Sequence, residues 1–110
     1  LEIPAGTLEK KEEPLKCAFR ELEEETGYRA KKMKPLLTYY PSIGYNTEVI
    51  HCFVASGLKK IADLKLDDDE ILSVVKMDLN KLLKLIKTGK IQDSKTICAV
   101  LTYAAKKRLY

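Results

Sequence analysis

The sequence predicts an α/β (α+β) fold, mixed β-strands with helices on both sides, and three observations carry that expectation. Pro14 and Gly27 bracket a stretch whose apolar residues recur at helical spacing. Thr47 to Ala55 (TEVIHCFVA) is dense in β-branched and aromatic side chains, the composition of a strand. Two segments near the C-terminus again place apolar residues one helical turn apart. With 110 residues the chain is long enough for one core and too short for two, so a single domain over residues 1–110 is expected.

Taken in order, LEIPAG reads as a strand running into a tight turn at Gly6, where the missing Cβ lets the backbone fold back. The chain opens on Leu1 rather than methionine, so residues upstream are expected and the domain is read as N-terminally incomplete. In the helix that Pro14 opens and Gly27 closes, side chains are about 100° apart, which groups Leu15, Ala18, Phe19 and Leu22 on one arc. Lys34 to Tyr40 reads as a strand, Pro41-Ser42-Ile43-Gly44 as a turn, and Thr47 to Ala55 as the antiparallel partner. Leu64 to Glu70 is an acidic loop and Ile71 to Met77 a further short strand. Asp78 is placed to cap a helix over Leu79 to Thr88, with Gly89 as its stop; Asp93 or Ser94 is placed to cap the last helix, whose stripe is Ile97, Val100, Leu101 and Ala104.

Composition excludes several classes of function. A net charge of +4 and a pI near 8.9 come from basic residues spread along the chain, without the aromatic signature of an RNA-binding surface, so no nucleic-acid partner is expected. No apolar run is long enough for a membrane span, and none reads as a signal peptide. Cys17, Cys52 and Cys98 are odd in number and lack CxxC spacing, which points to buried thiols in a reducing, cytoplasmic setting. His51 alone makes no histidine metal site and is read as a strand residue.

The chemistry concentrates between Gly6 and Tyr28. Gly6, Glu12, Arg20, Glu21, Leu22, Glu24, Glu25, Gly27 and Tyr28 occupy every constrained position of G-x5-E-x7-R-E-U-x-E-E-x-G-U, where U is aliphatic or aromatic. On the helix, Arg20, Glu21, Glu24 and Glu25 lie mainly on the polar arc, with Glu21 and Glu25 one turn apart, while Glu23 lies on the far side as a surface residue. Like charges at that spacing repel, so the arrangement gains no stability by itself. A hard cation, Mg2+ or Mn2+, relieves the repulsion because it prefers carboxylate and carbonyl oxygen. Arg20 reads as an orienting partner, its fork holding one glutamate oxygen while another is left for metal, and Glu12 ties the loop to the helix.

This pattern is that of the Nudix box, and the chain resembles the Nudix hydrolases, which cleave nucleoside diphosphates linked to another group with the help of divalent metal. LEIPAG, YYPSIGYNTEVIH and GKIQDSKTICAVL resemble the ADP-ribose pyrophosphatase branch over nearly the whole chain, although Ile43 stands where that branch commonly has proline. The resemblance implies a Nudix fold. It implies a metal site of the Ala5 carbonyl, Glu21, Glu24, Glu25 and Glu70, and a general base at Asp68 or Glu24, with Asp67 and Asp69 the alternatives one residue out of register. Gly6 and Glu48 are the implied substrate contacts. The implied reaction is hydrolysis of ADP-ribose, a small-molecule nucleoside diphosphate, to AMP and ribose 5-phosphate. Sugar nucleotides and nucleoside triphosphates are alternative substrates, and a module that binds ADP-ribose without cleaving it is an alternative of another class. The branch also implies a homodimer built with an upstream segment, without which the present chain is expected to hydrolyse poorly.

Overall fold

The computed structural model describes residues 1–62 and 73–109. Its elements are α1 (Pro14–Thr26), β1 (Tyr28–Arg29), β2 (Lys32–Tyr39), β3 (Ile50–Ser56), β4 (Lys59–Lys60), α2 (Leu79–Lys87) and α3 (Ser94–Leu109). The mixed helix-and-strand class is as expected, with the described strands paired as two short ladders, β1 with β4 and β2 with β3. Two compact units emerge from the contacts: Leu1–Ile3, Pro35–Cys52 and Met77–Tyr110 form one, and Pro4–Lys34 and Phe53–Lys76 the other. Both β2 and β3 contribute residues to each. Among the described residues no helix is long and apolar enough to cross a membrane.

In the unit containing Pro4–Lys34, α1 begins where the sequence placed it, with Pro14 in the first turn, where a missing N–H is no loss. Gly27 ends it in the left-handed conformation, φ 73°, and donates its N–H to the Glu23 carbonyl. The Gly27 carbonyl then accepts from Ile61 at 2.8 Å and Ala62 at 3.3 Å, so the end of the helix is tied directly to the segment after β4. β1 and β4 run antiparallel, Tyr28 opposite Lys60 and Arg29 opposite Lys59. Burial on α1 is thinner than the apolar arc predicts: only Cys17 is buried and Leu15 is 41% exposed.

In the other unit, Cys52, Ile91, Thr96, Ala99, Val100 and Ala104 are buried among the described residues. Thr96 is the most enclosed, 1% exposed, and its hydroxyl is fully used: it donates to Asp93 Oδ2 at 2.7 Å and accepts from the Ile3 N–H at 3.0 Å. Asp93 Oδ2 also takes the Thr96 N–H, so of the two expected caps for α3 it is Asp93 that acts. The turn between β2 and β3 closes with the Tyr45 and Asn46 N–H groups on the Ser42 carbonyl.

Several expected elements form differently. LEIPAG makes no strand, because the Ile3 and Ala5 N–H groups go to side chains and Pro4 has none to give. β3 begins at Ile50 rather than Thr47, since Asn46 Oδ1 captures the Glu48 N–H that a ladder would need. Of the expected strand Ile71–Met77, the described part from Ser73 onward is not in a strand, and Val74 and Val75 are exposed. α2 ends at Lys87 with Thr88 as its cap, and the Asp78 side chain makes no capping hydrogen bond; the Asp78 carbonyl alone accepts, from the Leu82 N–H.

Gly27 and Gly89 both have positive φ, but a Cβ at Gly27 would strike the Ala62 carbonyl oxygen while one at Gly89 meets nothing within 4 Å. Gly89→Ala is therefore expected to cost only the left-handed strain, about 1 kcal/mol, and Gly27→Ala about 2 kcal/mol or more. Thermal unfolding of the two variants checks the order, with equal losses as the contrary result.

Candidate active site

The Ala5–Gly6 backbone, which forms no turn, and the polar arc of α1 meet within one unit. Ala5 donates its N–H to Glu25 Oε2 at 3.0 Å. Gly6 lies so close to Glu21 that a Cβ there would occupy the space of the Glu21 carboxylate. Two glutamates one helical turn apart thus close on the same dipeptide, and the bare Cα of Gly6 lets the Glu21 carboxylate sit where a Cβ would otherwise displace it.

Arg20 organises the remainder. Its Nε and Nη2 grip Glu12 through two 2.8 Å bonds, and Nη2 also donates to the Thr7 carbonyl at 3.2 Å. Nη1 donates to Glu21 Oε1 at 2.7 Å and to Glu24 Oε2 at 3.1 Å, with Glu9 Oε1 at 3.6 Å. The loop before the helix closes on itself as well: Glu12 N–H donates to the Glu9 carbonyl and Glu9 N–H to Glu12 Oε1, each at 3.0 Å. Lys11, between them, takes the left-handed conformation at φ 61°. The buried Cys17 thiol lies beneath this cluster, 3.6 Å from Arg20 Nη2, and burial pushes its pKa up.

Charge follows geometry. The hydrogen bonds from Arg20, and after them that from the Glu9 backbone, hold the Glu12 carboxyl down at about 2, while the same glutamates raise the Arg20 pKa. Glu23 stands apart, paired with Arg29 at 2.7 Å.

Of the residues expected from the sequence, Ala5, Gly6, Arg20, Glu21, Glu24 and Glu25 are therefore brought together. It is the Ala5 N–H, rather than its carbonyl, that meets a glutamate. Glu48 belongs to the other unit, exposed in the turn before β3. Asp68 and Glu70 lie outside the described residues. Sequence reasoning missed the parts played by Thr7 and Glu9. Thr7 acts through its backbone, which no residue type announces, and Glu9 is one more acid in a charged loop; its position three residues before Glu12 was the available signal.

The donor set suits a hard divalent cation in kind, being carboxylate oxygen throughout, and the Gly6 surface leaves Glu21 unobstructed by a side chain. Among the described residues no three Asp, Glu, His or Cys side chains are gathered as a finished coordination shell. Glu21 and Glu24 meet instead on Arg20 Nη1, each through one oxygen, which leaves each a second oxygen for another partner.

The chain is similar to known proteins in sequence and in fold. The NUDIX domain family matches residues 1–100. The chain is 43% identical over 110 residues to an ADP-ribose pyrophosphatase of Bacillus subtilis strain 168, covering 99% of this chain and 60% of that protein. It is 46% identical over 101 residues to a methanol dehydrogenase activator of Bacillus methanolicus, covering 91% and 55%. A GDP-mannose pyrophosphatase of Yersinia enterocolitica is 38% identical over 106 residues, covering 94% and 54%. Among solved structures, an ADP compounds hydrolase superposes with a TM-score of 0.78 over 92% of this chain and 54% of that one; at 21% identity the likeness is one of fold. The chain spans about half to three-fifths of the length of these proteins.

The Glu12 shift fixes the direction of one pH effect. A carboxyl titrating lower in the folded than in the unfolded chain adds stability that is complete above the ordinary value of 4.5 and is lost as pH falls towards about 2. Glu12→Gln is expected to flatten the acid limb of the stability profile between those values and to leave its slope above pH 5 unchanged. Unfolding midpoints by circular dichroism across that range check it, and an acid limb as steep as wild type contradicts it.

Proposed function

The chain belongs to the Nudix family, and on that premise we propose that it carries the metal-binding part of a hydrolase that cleaves the pyrophosphate linkage of a nucleoside diphosphate derivative, with ADP-ribose as substrate and AMP and ribose 5-phosphate as products. The observation that carries this reading is the convergence of Glu21 and Glu25 on the Ala5–Gly6 backbone, beside Glu24 on Arg20. The 43% identity to an ADP-ribose pyrophosphatase supports the choice of substrate.

In this reading Glu21, Glu24 and Glu25 hold Mg2+ or Mn2+, with the Ala5–Gly6 backbone alongside. When bound, such an ion neutralises the diphosphate and lowers the pKa of a coordinated water. The chain's own groups have separate tasks. Glu21 and Glu25 present acceptor oxygens beside the Ala5–Gly6 backbone, and Gly6 keeps that surface free of side chain. Arg20, gripped by Glu12, meets Glu21 and Glu24 through Nη1. Asp68 or Glu24 takes the proton from the attacking water.

A second reading keeps the chemistry and changes the substrate. The 38% identity to a GDP-mannose pyrophosphatase, together with Ile43 in place of the branch's proline, favours a test on sugar nucleotides. A third reading is a regulatory module that binds its ligand without turnover, and a relative named as an activator is the reason to test it.

One experiment separates them. Full-length protein incubated with Mg2+ and a panel of ADP-ribose, GDP-mannose and nucleoside triphosphates is followed by phosphorus NMR. AMP from ADP-ribose is the expected product, and Glu25→Gln is expected to lower its rate at least about a hundredfold without loss of fold. No AMP from folded wild type, with calorimetric binding of ADP-ribose intact, would establish the binding module instead.

A further inference from the structure

The five N–H groups of Arg20 divide into two edges. One is anchored: Nε and Nη2 bind Glu12 twice at 2.8 Å, and Nη2 binds the Thr7 carbonyl at 3.2 Å. The other, Nη1, serves the two carboxylates read above as cation ligands, Glu21 at 2.7 Å and Glu24 at 3.1 Å. On the Nη1 edge the Glu21 side chain is 17% exposed, close to the 13% of Glu12, and only the Glu24 side chain, at 57%, is open to water.

Nη1 and a divalent ion therefore draw on the same pair of carboxylates, and both are positive. An ion taking Glu21 and Glu24 works against a guanidinium already in contact with them, and part of its binding free energy goes into that repulsion. Arg20 need not leave for this to happen. If Glu21 and Glu24 turn away, four of its bonds remain, two to Glu12, one to Thr7 and one to the Cys17 sulfur. Glu12 is itself held in place by the Glu9 N–H, so the anchor does not depend on the exchangeable edge.

We propose that Arg20 lowers the affinity of the site for divalent cations by competing for Glu21 and Glu24, and that Glu12 is the positioning residue that keeps the guanidinium from following those carboxylates to the ion. The proposal rests on the reading that Glu21, Glu24 and Glu25 hold a cation. It assigns Arg20 a sense opposite to that of a supporting partner, whose removal would weaken binding.

The test is Mn2+ binding to the chain without substrate, measured by electron paramagnetic resonance and calorimetry, with circular dichroism to establish the fold of each variant. Arg20→Gln is expected to bind Mn2+ about tenfold more tightly than wild type, and Glu12→Gln several-fold more weakly. In the Arg20→Gln background the Glu12→Gln effect is expected to shrink to about twofold or less, because the residue it acts through is gone. Weaker Mn2+ binding by folded Arg20→Gln overturns the competition, and an undiminished Glu12→Gln effect in that background overturns the anchoring. Should Arg20→Gln not fold, Arg20→Lys takes its place. Its ammonium keeps the charge without the two-pronged hold and is expected to follow Glu21 and weaken Mn2+ binding; unchanged or tighter binding overturns the proposal. Wild type that binds no Mn2+ at all sinks the metal-dependent reading itself, whereas wild-type binding with the wrong order of variants sinks only this inference.

Discussion

The guanidinium of Arg20 is the contact on which the geometry around α1 depends. Glu9, Glu12, Glu21 and Glu24 all reach it, and without it four carboxylates would face one another across a loop and a helix. Its planar fork explains why arginine suits the position: a two-pronged hold on Glu12 fixes the plane, and the plane aims Nη1 at the helix face. Lysine could supply the charge but not the direction. The Thr7–Glu12 loop is thereby held against α1 with little apolar burial, Cys17 being the only buried residue of that helix.

Direction matters equally at the far end of α1. Gly27 turns the chain through a left-handed residue and then offers its carbonyl to Ile61 and Ala62. The helix stop and the pairing of β1 with β4 are thus one event, since the residue that ends the helix receives the chain returning from β4. Moving the stop by one residue would rotate the following backbone and misalign both. The rotation of α1 about its axis, which sets Glu25 towards Ala5 and Glu21 towards Gly6 and Arg20, is held between the Arg20 cluster at one end and this junction at the other.

Much of this was legible in the residue order, and the remainder was hidden for identifiable reasons. Pro14 and Gly27 gave the bounds of α1 because each restricts φ in a way few other residues do. The spacing of Glu21 and Glu25 gave a shared face because helical periodicity is local. β2, β3, α2 and α3 were found within a few residues for the same reason. What periodicity cannot carry is the competition between side chains and backbone for the same N–H groups. Asn46 shortened β3 in this way, and Asp93 rather than Ser94 capped α3. Burial was harder still: the arc of α1 named Leu15, which is exposed, and passed over Cys17, which lies under the Arg20 cluster.

The leader Leu1–Gly6 shows the same competition with consequences for chemistry. Its alternating apolar residues read as a strand, and a strand would have sent its N–H groups to a neighbouring backbone. Instead the Ile3 N–H goes to the hydroxyl of the enclosed Thr96, and the Ala5 N–H goes to Glu25, with Pro4 between them having none to donate. Each bond fixes a different side of the segment by direction rather than by packing, and together they leave Gly6 the next residue to be placed. A residue with a Cβ following Ala5 there would push the Glu21 carboxylate out of the space it occupies. The glycine that opens the motif therefore sets where the first motif glutamate of the helix can lie, and the backbone leading to it is not a strand because its donors are already committed to side chains.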